Sequence, residues 1–150
     1  MNNKKKILYI DMDNCLVDFQ SGIDQLSEEL FNAFKGNYDL VPGIFGLMKP
    51  MDGAVEAFEK LAAKYDVYIL STAPWENPTA WSDKLLWTKK YLGKSAYKRL
   101  TLSHNKHLSI GDFLIDDRLA NGAGEFEGEL IRFGSERFPN WKVVLEYLLN

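Results

Sequence analysis

Short apolar runs alternate with longer stretches of helical periodicity along the chain. The first apolar run, Ile7–Ile10, is bounded by polar residues and has the length of a buried strand. Residues 67–70, 99–102, 113–115 and 130–133 follow a similar pattern, so we predict five strands. Apolar residues recur at helical spacing over 21–35, after Asp52, over about 79–92 and after Asn140. We predict a helix in each of these four segments.

Strands that alternate with helices predict an α/β fold, in which a parallel sheet carries helices on both faces in a three-layer, Rossmann-like arrangement. No repeat, low-complexity tract or linker interrupts the pattern, so we expect residues 1–150 to form a single domain. The segment 19–47 fits the alternation least well, because one helix is followed by a stretch punctuated by proline and glycine. It is either the first crossover or a small helical cap, at about 19–47, inserted after the first strand.

The composition restricts the partners that the chain can bind. Its 18 basic and 21 acidic residues give a net charge of −3. The chain therefore has no excess of positive charge with which to bind a nucleic-acid polymer or an anionic membrane surface. Cys15 is the only cysteine, which excludes an internal disulfide and a thiolate zinc cluster. No apolar run approaches the roughly 20 residues of a membrane span. We therefore expect a cytoplasmic protein that binds neither a nucleic-acid polymer nor a membrane.

Chemically active side chains follow four of the predicted strands. In open parallel sheets, ligands bind outside the carboxyl ends of the strands. The residues found after these strand ends are Asp11, Asp13, Ser71, Thr72, Lys106, Asp116 and Asp117. Four carboxylates repel one another unless a cation lies among them, and ligands that are all oxygen suit Mg²⁺. Thr72 and Lys106 would then hold a phosphate group by hydrogen bond and by charge.

Asp11 and Asp13 lie two positions apart, so both carboxylates can leave the first strand on the same face. In such a pair one carboxylate can be a nucleophile, and the other a general acid/base that protonates the leaving oxygen and later activates water. Asn14 follows where the chain must turn, and asparagine tolerates left-handed backbone better than most residues. Trp75 follows Pro74 at the edge of the expected site and is the tryptophan least expected in the core.

These residues resemble the four motifs of haloacid dehalogenase-like (HAD) phosphatases. The motifs are found in order at 11–19 (DMDNCLVDF), 71–74 (STAP), Lys106 and 111–118 (GDFLIDDR). Within the superfamily the chain is most similar to the 5′(3′)-deoxyribonucleotidases, and residues 51–54 (MDGA) resemble a helix start of that family. The resemblance implies the HAD fold and an Mg²⁺-dependent phosphomonoesterase that dephosphorylates nucleoside monophosphates.

The resemblance also implies roles for the acidic residues. Asp11 would be the nucleophile that forms a phosphoaspartate, and Asp13 would be the acid/base. The Mg²⁺ ligands would be Asp11, the backbone carbonyl of Asp13, and Asp117, with Asp116 beside them. Each of these residues is present at the matching position of the motifs.

Substrate-binding residues are implied in the same way. Thr72 and Lys106 would hold the phosphoryl group, and Phe19 would line the pocket for the base or sugar. His104 stands where the family usually has arginine, and we predict that it binds substrate together with Phe19. The other departures from the family pattern are Asn14, Cys15, Ala73 and a cap that is shorter than in the animal enzymes. All of these departures bear on the choice of substrate rather than on phosphoryl transfer.

Two other functions stay open at this point. The same chemistry could serve another small phosphate ester, or the chain could be a non-catalytic module that binds Mg²⁺ or phosphate. The presence of both Asp11 and Asp13 disfavours the module, because binding alone does not need an acid/base beside the nucleophile. A short cap leaves room for a partner subunit to help close the site, so a homodimer is compatible with the sequence.

Overall fold

The structure, a computed structural model, describes residues 4–150. Its strands are β1 (Ile7–Ile10), β2 (Val17–Asp18), β3 (Lys49–Pro50), β4 (Asp66–Ser71), β5 (Leu100–Leu102), β6 (Phe113–Asp116) and β7 (Glu129–Arg132). Its α-helices are α1 (Phe19–Ile23), α2 (Glu28–Ala33), α3 (Ile44–Leu47), α4 (Ala54–Lys64), α5 (Pro78–Tyr91) and α6 (Trp141–Leu149). Short 3₁₀ turns cover Tyr38–Leu40, Gly93–Ala96, Lys106–Leu108 and Ala123–Glu125.

Five strands form one parallel sheet in the order β5-β4-β1-β6-β7, so β1 lies at its centre. Each of the five strands predicted from the apolar runs is present, with bounds within one residue of the prediction. The predicted α/β fold with a parallel sheet is confirmed. Because the central strand carries Asp11 at its carboxyl end, residues from β4 and β6 approach that position from both sides.

Alternate side chains of the strands pack on opposite faces of the sheet. On one face, Leu8 and Ile10 belong to a large core cluster that includes residues of α4, α5 and α6. On the other face, Leu70 and Leu114 pack with Ala123 and Phe126 in a smaller cluster. The helices α4, α5 and α6 therefore cover one face of the sheet, and the segment around the 3₁₀ turn Ala123–Glu125 packs on the other.

The prediction of one helix over 21–35 is wrong. The structure has two short helices, α1 and α2, separated by residues 24–27. The break occurs because the Ser27 hydroxyl accepts a hydrogen bond from the Leu30 N–H at 3.2 Å and caps a new helix there. The first helix, α1, begins two residues earlier than predicted, because the Asp18 carboxylate caps it by accepting a hydrogen bond from the Ser21 N–H. The apolar spacing alone did not reveal these competing caps.

The segment 19–47 lies between β2 and β3, which pair antiparallel apart from the main sheet. Its helix α3 packs against α1 and α5. The Asn77 side-chain amide, at the start of α5, donates hydrogen bonds to the carbonyls of Asp39 and Val41, and the Thr79 hydroxyl accepts one from the Gly43 N–H. The segment is thus held beside the chain that leaves β4.

Candidate active site

The loop that follows β1 is folded tightly and held in place by the last helix. The carbonyl of Met12 accepts hydrogen bonds from the backbone N–H groups of residues 15, 16 and 17. Asn14 has a left-handed backbone with φ of 61°, as its position in the turn predicted. The indole N–H of Trp141 in α6 donates to the carbonyl of Cys15 at 2.8 Å. The backbone that carries Asp11 and Asp13 is therefore fixed from both sides.

Asp11, Lys106 and Asp116 form a buried charged cluster at the carboxyl end of the sheet. The ammonium of Lys106 lies 3.1 Å from Asp11 Oδ1 and 2.6 Å from Asp116 Oδ2. All three residues are buried. Burial of the Asp11 carboxyl raises its pKa well above the usual value, and the Lys106 ammonium opposes that effect. Burial of the Lys106 ammonium lowers its pKa, but the two carboxylates outweigh this, so the net shift of its pKa is upward.

The position of Lys106 depends on a neighbouring turn whose residues have a left-handed backbone conformation. Its N–H donates to the carbonyl of Asn121 at 2.8 Å, where Asn121 and Gly122 both have positive φ. A Cβ atom added to Gly122 would lie 2.9 Å from the Lys106 backbone nitrogen and 2.4 Å from Nδ1 of His107. A glycine at this position thus lets two segments approach closely enough to set the position of Lys106.

The residues at one end of the cluster fit a hard divalent cation. Ligand atoms of Asp11, Cys15 and Asp117 lie within 4.8 Å of one another. The Oδ1 atom of Asp117 is buried and has no hydrogen-bond partner among residues 4–150, an arrangement that a bound cation would satisfy. Burial raises the pKa of Asp117, and repulsion from Asp116 adds to the shift. Burial also raises the pKa of the Cys15 thiol well above the usual value, so carboxylate oxygens are the ligands available.

The carboxylate of Asp13 points to a residue that sequence reasoning missed. Asp13 Oδ1 lies 3.1 Å from the ammonium of Lys84, which is fully buried in α5. The same ammonium donates to the Ser71 hydroxyl at 2.8 Å and lies 4.6 Å from the ring centre of Phe45. A signal was present, because Lys84 lies at helical spacing on the inward face of α5, with Ala80, Trp87 and Thr88.

The remaining predicted site residues line one cavity of about 610 Å³, a size common for sites that bind small ligands. Asp13, Phe19, Thr72, His104 and Asp117 all contribute to its wall. The structure therefore divides the predicted residues into two connected groups. Asp11, Lys106 and Asp116 form the buried cluster, whereas these five residues face the space where a ligand would lie.

The partners of the wall residues differ from one to the next. The hydroxyl of Thr72 donates to the carbonyl of Ser103 at 2.7 Å, which leaves its oxygen free only as an acceptor in this arrangement. The ring of Phe19 meets the ring of Phe45 edge-on, with centres 5.7 Å apart. His104 packs among aromatic rings, and its Nε2 atom is buried with no hydrogen-bond partner in the described part of the chain.

The sequence matches a known family over most of its length. Residues 34–140 match the family described as 5′ nucleotidase, deoxy (pyrimidine), cytosolic type C protein. A protein of Vibrio phage KVP40 named "Putative 5′(3′)-deoxyribonucleotidase" is 62% identical over 144 residues, which cover 96% of this chain and 85% of the relative. The chain belongs to the 5′(3′)-deoxyribonucleotidase family. A Bordetella pertussis protein with the same name is 32% identical over 75% of this chain and 74% of its own length.

Solved structures place the fold of this family member among the HAD hydrolases. A Bacillus subtilis protein described as a "putative HAD-hydrolase", whose crystal structure contains magnesium, matches with a TM-score of 0.62 over 97% of this chain and 99% of that one. A HAD-superfamily hydrolase of Geobacter sulfurreducens matches with a TM-score of 0.58 over 99% of this chain and 100% of that one. Both are 12% identical, so the likeness concerns the fold alone. The predicted HAD fold and family are confirmed, and with them the enzyme class, a phosphoric monoester hydrolase.

The helices of residues 4–150 include none with the length and apolar character needed to cross a membrane.

Proposed function

We propose that this protein is an Mg²⁺-dependent phosphomonoesterase that removes phosphate from nucleoside monophosphates, in particular deoxyribonucleotides. One observation carries the proposal. The buried carboxylate of Asp11 follows the central strand and lies near both the ammonium of Lys106 and the carboxylate of Asp117, whose Oδ1 has no hydrogen-bond partner among residues 4–150. A second carboxylate, Asp13, is held by Lys84 and faces the adjoining cavity. The names of the relatives support the nucleotide as substrate.

In this proposal Asp11 and Asp117, together with the backbone carbonyl of Asp13, would hold Mg²⁺. When bound, the ion supplies positive charge that lets an anionic nucleophile approach an anionic phosphate. Burial raises the pKa of Asp11, and the positive charge of the Lys106 ammonium beside it favours its ionised form. Lys106, shared between Asp11 and Asp116, contributes a fixed positive charge for the phosphoryl oxygens, and Thr72 lines the adjoining cavity.

The reaction takes place in two steps on this chain's carboxylates. A carboxylate oxygen of Asp11 attacks phosphorus, the bond from phosphorus to the nucleoside oxygen breaks, and Asp13 gives that oxygen its proton. Asp13, now ionised, then takes a proton from a water molecule that attacks the phosphoaspartate. Inorganic phosphate leaves and Asp11 is restored. Lys84 keeps the Asp13 carboxylate oriented in both steps through the 3.1 Å contact.

The segment 19–47 acts as a cap in this proposal, within a single domain that spans 1–150. Phe19, Gly36, Tyr38 and Asp39 of the segment line the cavity opposite residues that follow β4 and β6. Covering the strand ends would exclude bulk water while the phosphoenzyme forms. Phe19 and His104 would contact the nucleoside, and the protein would act in the cytoplasm.

A phosphate-release screen tests the proposal. The panel contains deoxynucleoside and ribonucleoside monophosphates, with phosphate at the 5′ or 3′ position, and sugar phosphates of similar size. We expect Mg²⁺-dependent release that favours the nucleotides and is abolished by a chelator. A preference for sugar phosphates would replace the nucleotide with another ester. Binding without turnover by wild-type protein would point to a non-catalytic module instead. The Asp11→Asn variant is the control for contaminating phosphatases.

A further inference from the structure

Trp75 lies at the rim of the catalytic cavity and is largely exposed. It retains 74% of its accessible surface, the highest fraction among the large apolar side chains that the structure leaves exposed in residues 4–150. It follows the buried Ala73 in the loop after β4, and it lines the same cavity as Asp13, Thr72 and Asp117. Isolated exposed aromatic residues are common on protein surfaces, but this one adjoins the site where the phosphate would react.

The ring of Trp75 is held by two other aromatic side chains. Its centre lies 6.3 Å from that of Trp81 and 5.8 Å from that of His104, each at an interplanar angle of 75°. Trp81 and His104 are themselves 5.8 Å apart, and the Trp81 indole N–H donates to the carbonyl of Pro74 at 3.2 Å. This hydrogen bond links Trp81 to Pro74, the residue that precedes Trp75. An exposed ring is thus oriented in advance at the mouth of the cavity.

We propose that Trp75 is the surface on which the nucleobase stacks, and that it determines the preference of the enzyme for nucleotides over other phosphate esters. This inference rests on the proposed function, because it assumes that the phosphate is attached to a nucleoside. Aromatic rings stack on nucleobases with little dependence on sequence, since every base has a π face. A ring fixed in advance loses little conformational freedom when the base binds.

Tyr38 and Phe19 are also aromatic residues in the wall. The ring of Tyr38 is stacked on that of Phe31, with centres 5.4 Å apart. Phe19 likewise offers less of its ring than Trp75 does. It is only partly exposed, and its ring packs edge-on against the buried Phe45. Phe19 therefore narrows the cavity, whereas Trp75 offers an open ring. The two residues come from different parts of the chain, the cap segment and the loop after β4, so their contributions can be separated by substitution.

The test compares thymidine 5′-monophosphate with 2-deoxyribose 5-phosphate, which has a hydroxyl group at C1 in place of the base. The variants are Trp75→Leu, which keeps an apolar side chain but removes the ring, and Trp75→Phe, which keeps a smaller ring. We expect Trp75→Leu to lower kcat/KM for the nucleotide by about 5- to 150-fold, with the loss mainly in KM and less than about twofold on the sugar phosphate. Trp75→Phe should lower kcat/KM for the nucleotide less than Trp75→Leu does. Tyr97→Leu, at an exposed aromatic residue outside the cavity, is the matched control and should change neither value.

The outcomes separate the two proposals. If the wild-type enzyme does not favour the nucleotide over the sugar phosphate, the nucleotidase proposal fails, whatever Trp75 does. If the wild type favours the nucleotide and Trp75→Leu keeps that preference, the stacking inference is wrong and the proposed function stands. Equal losses on both substrates would also overturn the inference, because they would mean that Trp75 supports the loop rather than the base. Titration of the nucleotide into Asp11→Asn, with and without Trp75→Leu, gives the binding loss directly.

Discussion

The buried ammonium of Lys84 allows a direct test of how Asp13 is positioned. In Lys84→Met the side chain keeps its length and apolar stem but loses the charge that lies 3.1 Å from Asp13 Oδ1. Ser71 also loses its 2.8 Å partner, whereas the packing against Phe45 can be retained. We expect a large loss of turnover with a modest loss of stability.

The two magnitudes follow from the surroundings of each group. Hydrogen bonds to charged groups contribute about 1.5–3 kcal/mol, so loss of the oriented Asp13 carboxylate should lower kcat by roughly 10- to 150-fold. Breaking a fully buried ion pair costs about 3–5 kcal/mol, because one charge is left without compensation. Asp13 keeps 20% of its side chain exposed to water, and removal of the ammonium also removes its desolvation cost. The loss in free energy of unfolding should therefore stay below about 3 kcal/mol.

A double-mutant cycle supplies the assay. Steady-state kcat and the free energy of unfolding are measured for Lys84→Met, Asp13→Asn and the double variant. If Lys84 acts through Asp13, the double variant is no slower than Asp13→Asn alone. Lys89→Met, at an exposed lysine of the same helix, is the control and should leave both values unchanged. Losses in kcat that multiply in the double variant would refute the positioning role, as would a kcat for Lys84→Met within twofold of wild type.

Three further predictions concern the nucleophile, the metal and the backbone. Asp11→Asn should abolish turnover without lowering the Tm by more than a few degrees, which phosphate release and thermal unfolding check together. Mg²⁺ should raise the Tm of the wild type but not of Asp117→Asn. Burial raises the pKa of Asp11 and of Asp117, so the folded protein without Mg²⁺ binds more protons than the unfolded chain and loses stability as the pH rises above the usual carboxyl pKa. The rise in Tm with Mg²⁺ should therefore grow with pH, because protons then compete less for these carboxylates. Gly122→Ala should cost more stability than Gly134→Ala, since both have φ near +83° but a Cβ at 134 meets nothing within 4 Å; equal costs in chemical denaturation would show that only backbone strain matters.

The sequence by itself determined the sheet and the position of its acidic edge. Each strand is a short apolar run whose end is marked by the polar residue that follows, as in Ile10 before Asp11 and Ile115 before Asp116. Parallel strands bring their carboxyl ends to one edge, so the meeting of Asp11, Lys106, Asp116 and Asp117 could be predicted from local pattern and topology. The left-handed turn at Asn14 was also predictable, because the backbone conformation there depends on one residue and its immediate neighbours.

Tertiary structure decided which distant side chains complete the site. Helical spacing places Lys84 on the inward face of α5, but its pairing with Asp13, 71 positions away in the chain, forms only when α5 packs against the loop after β1. The grouping of Trp75, Trp81 and His104 depends likewise on two loops and a helix that converge at the cavity. In the segment 19–47, the apolar spacing is continuous, but the helix N-caps at Asp18 and Ser27 divide it into two short helices. Local periodicity shows which face of a helix or strand is apolar. Contacts between elements depend on how the whole chain packs. The partners of Asp13 and the residues at the rim of the cavity are therefore determined by tertiary packing.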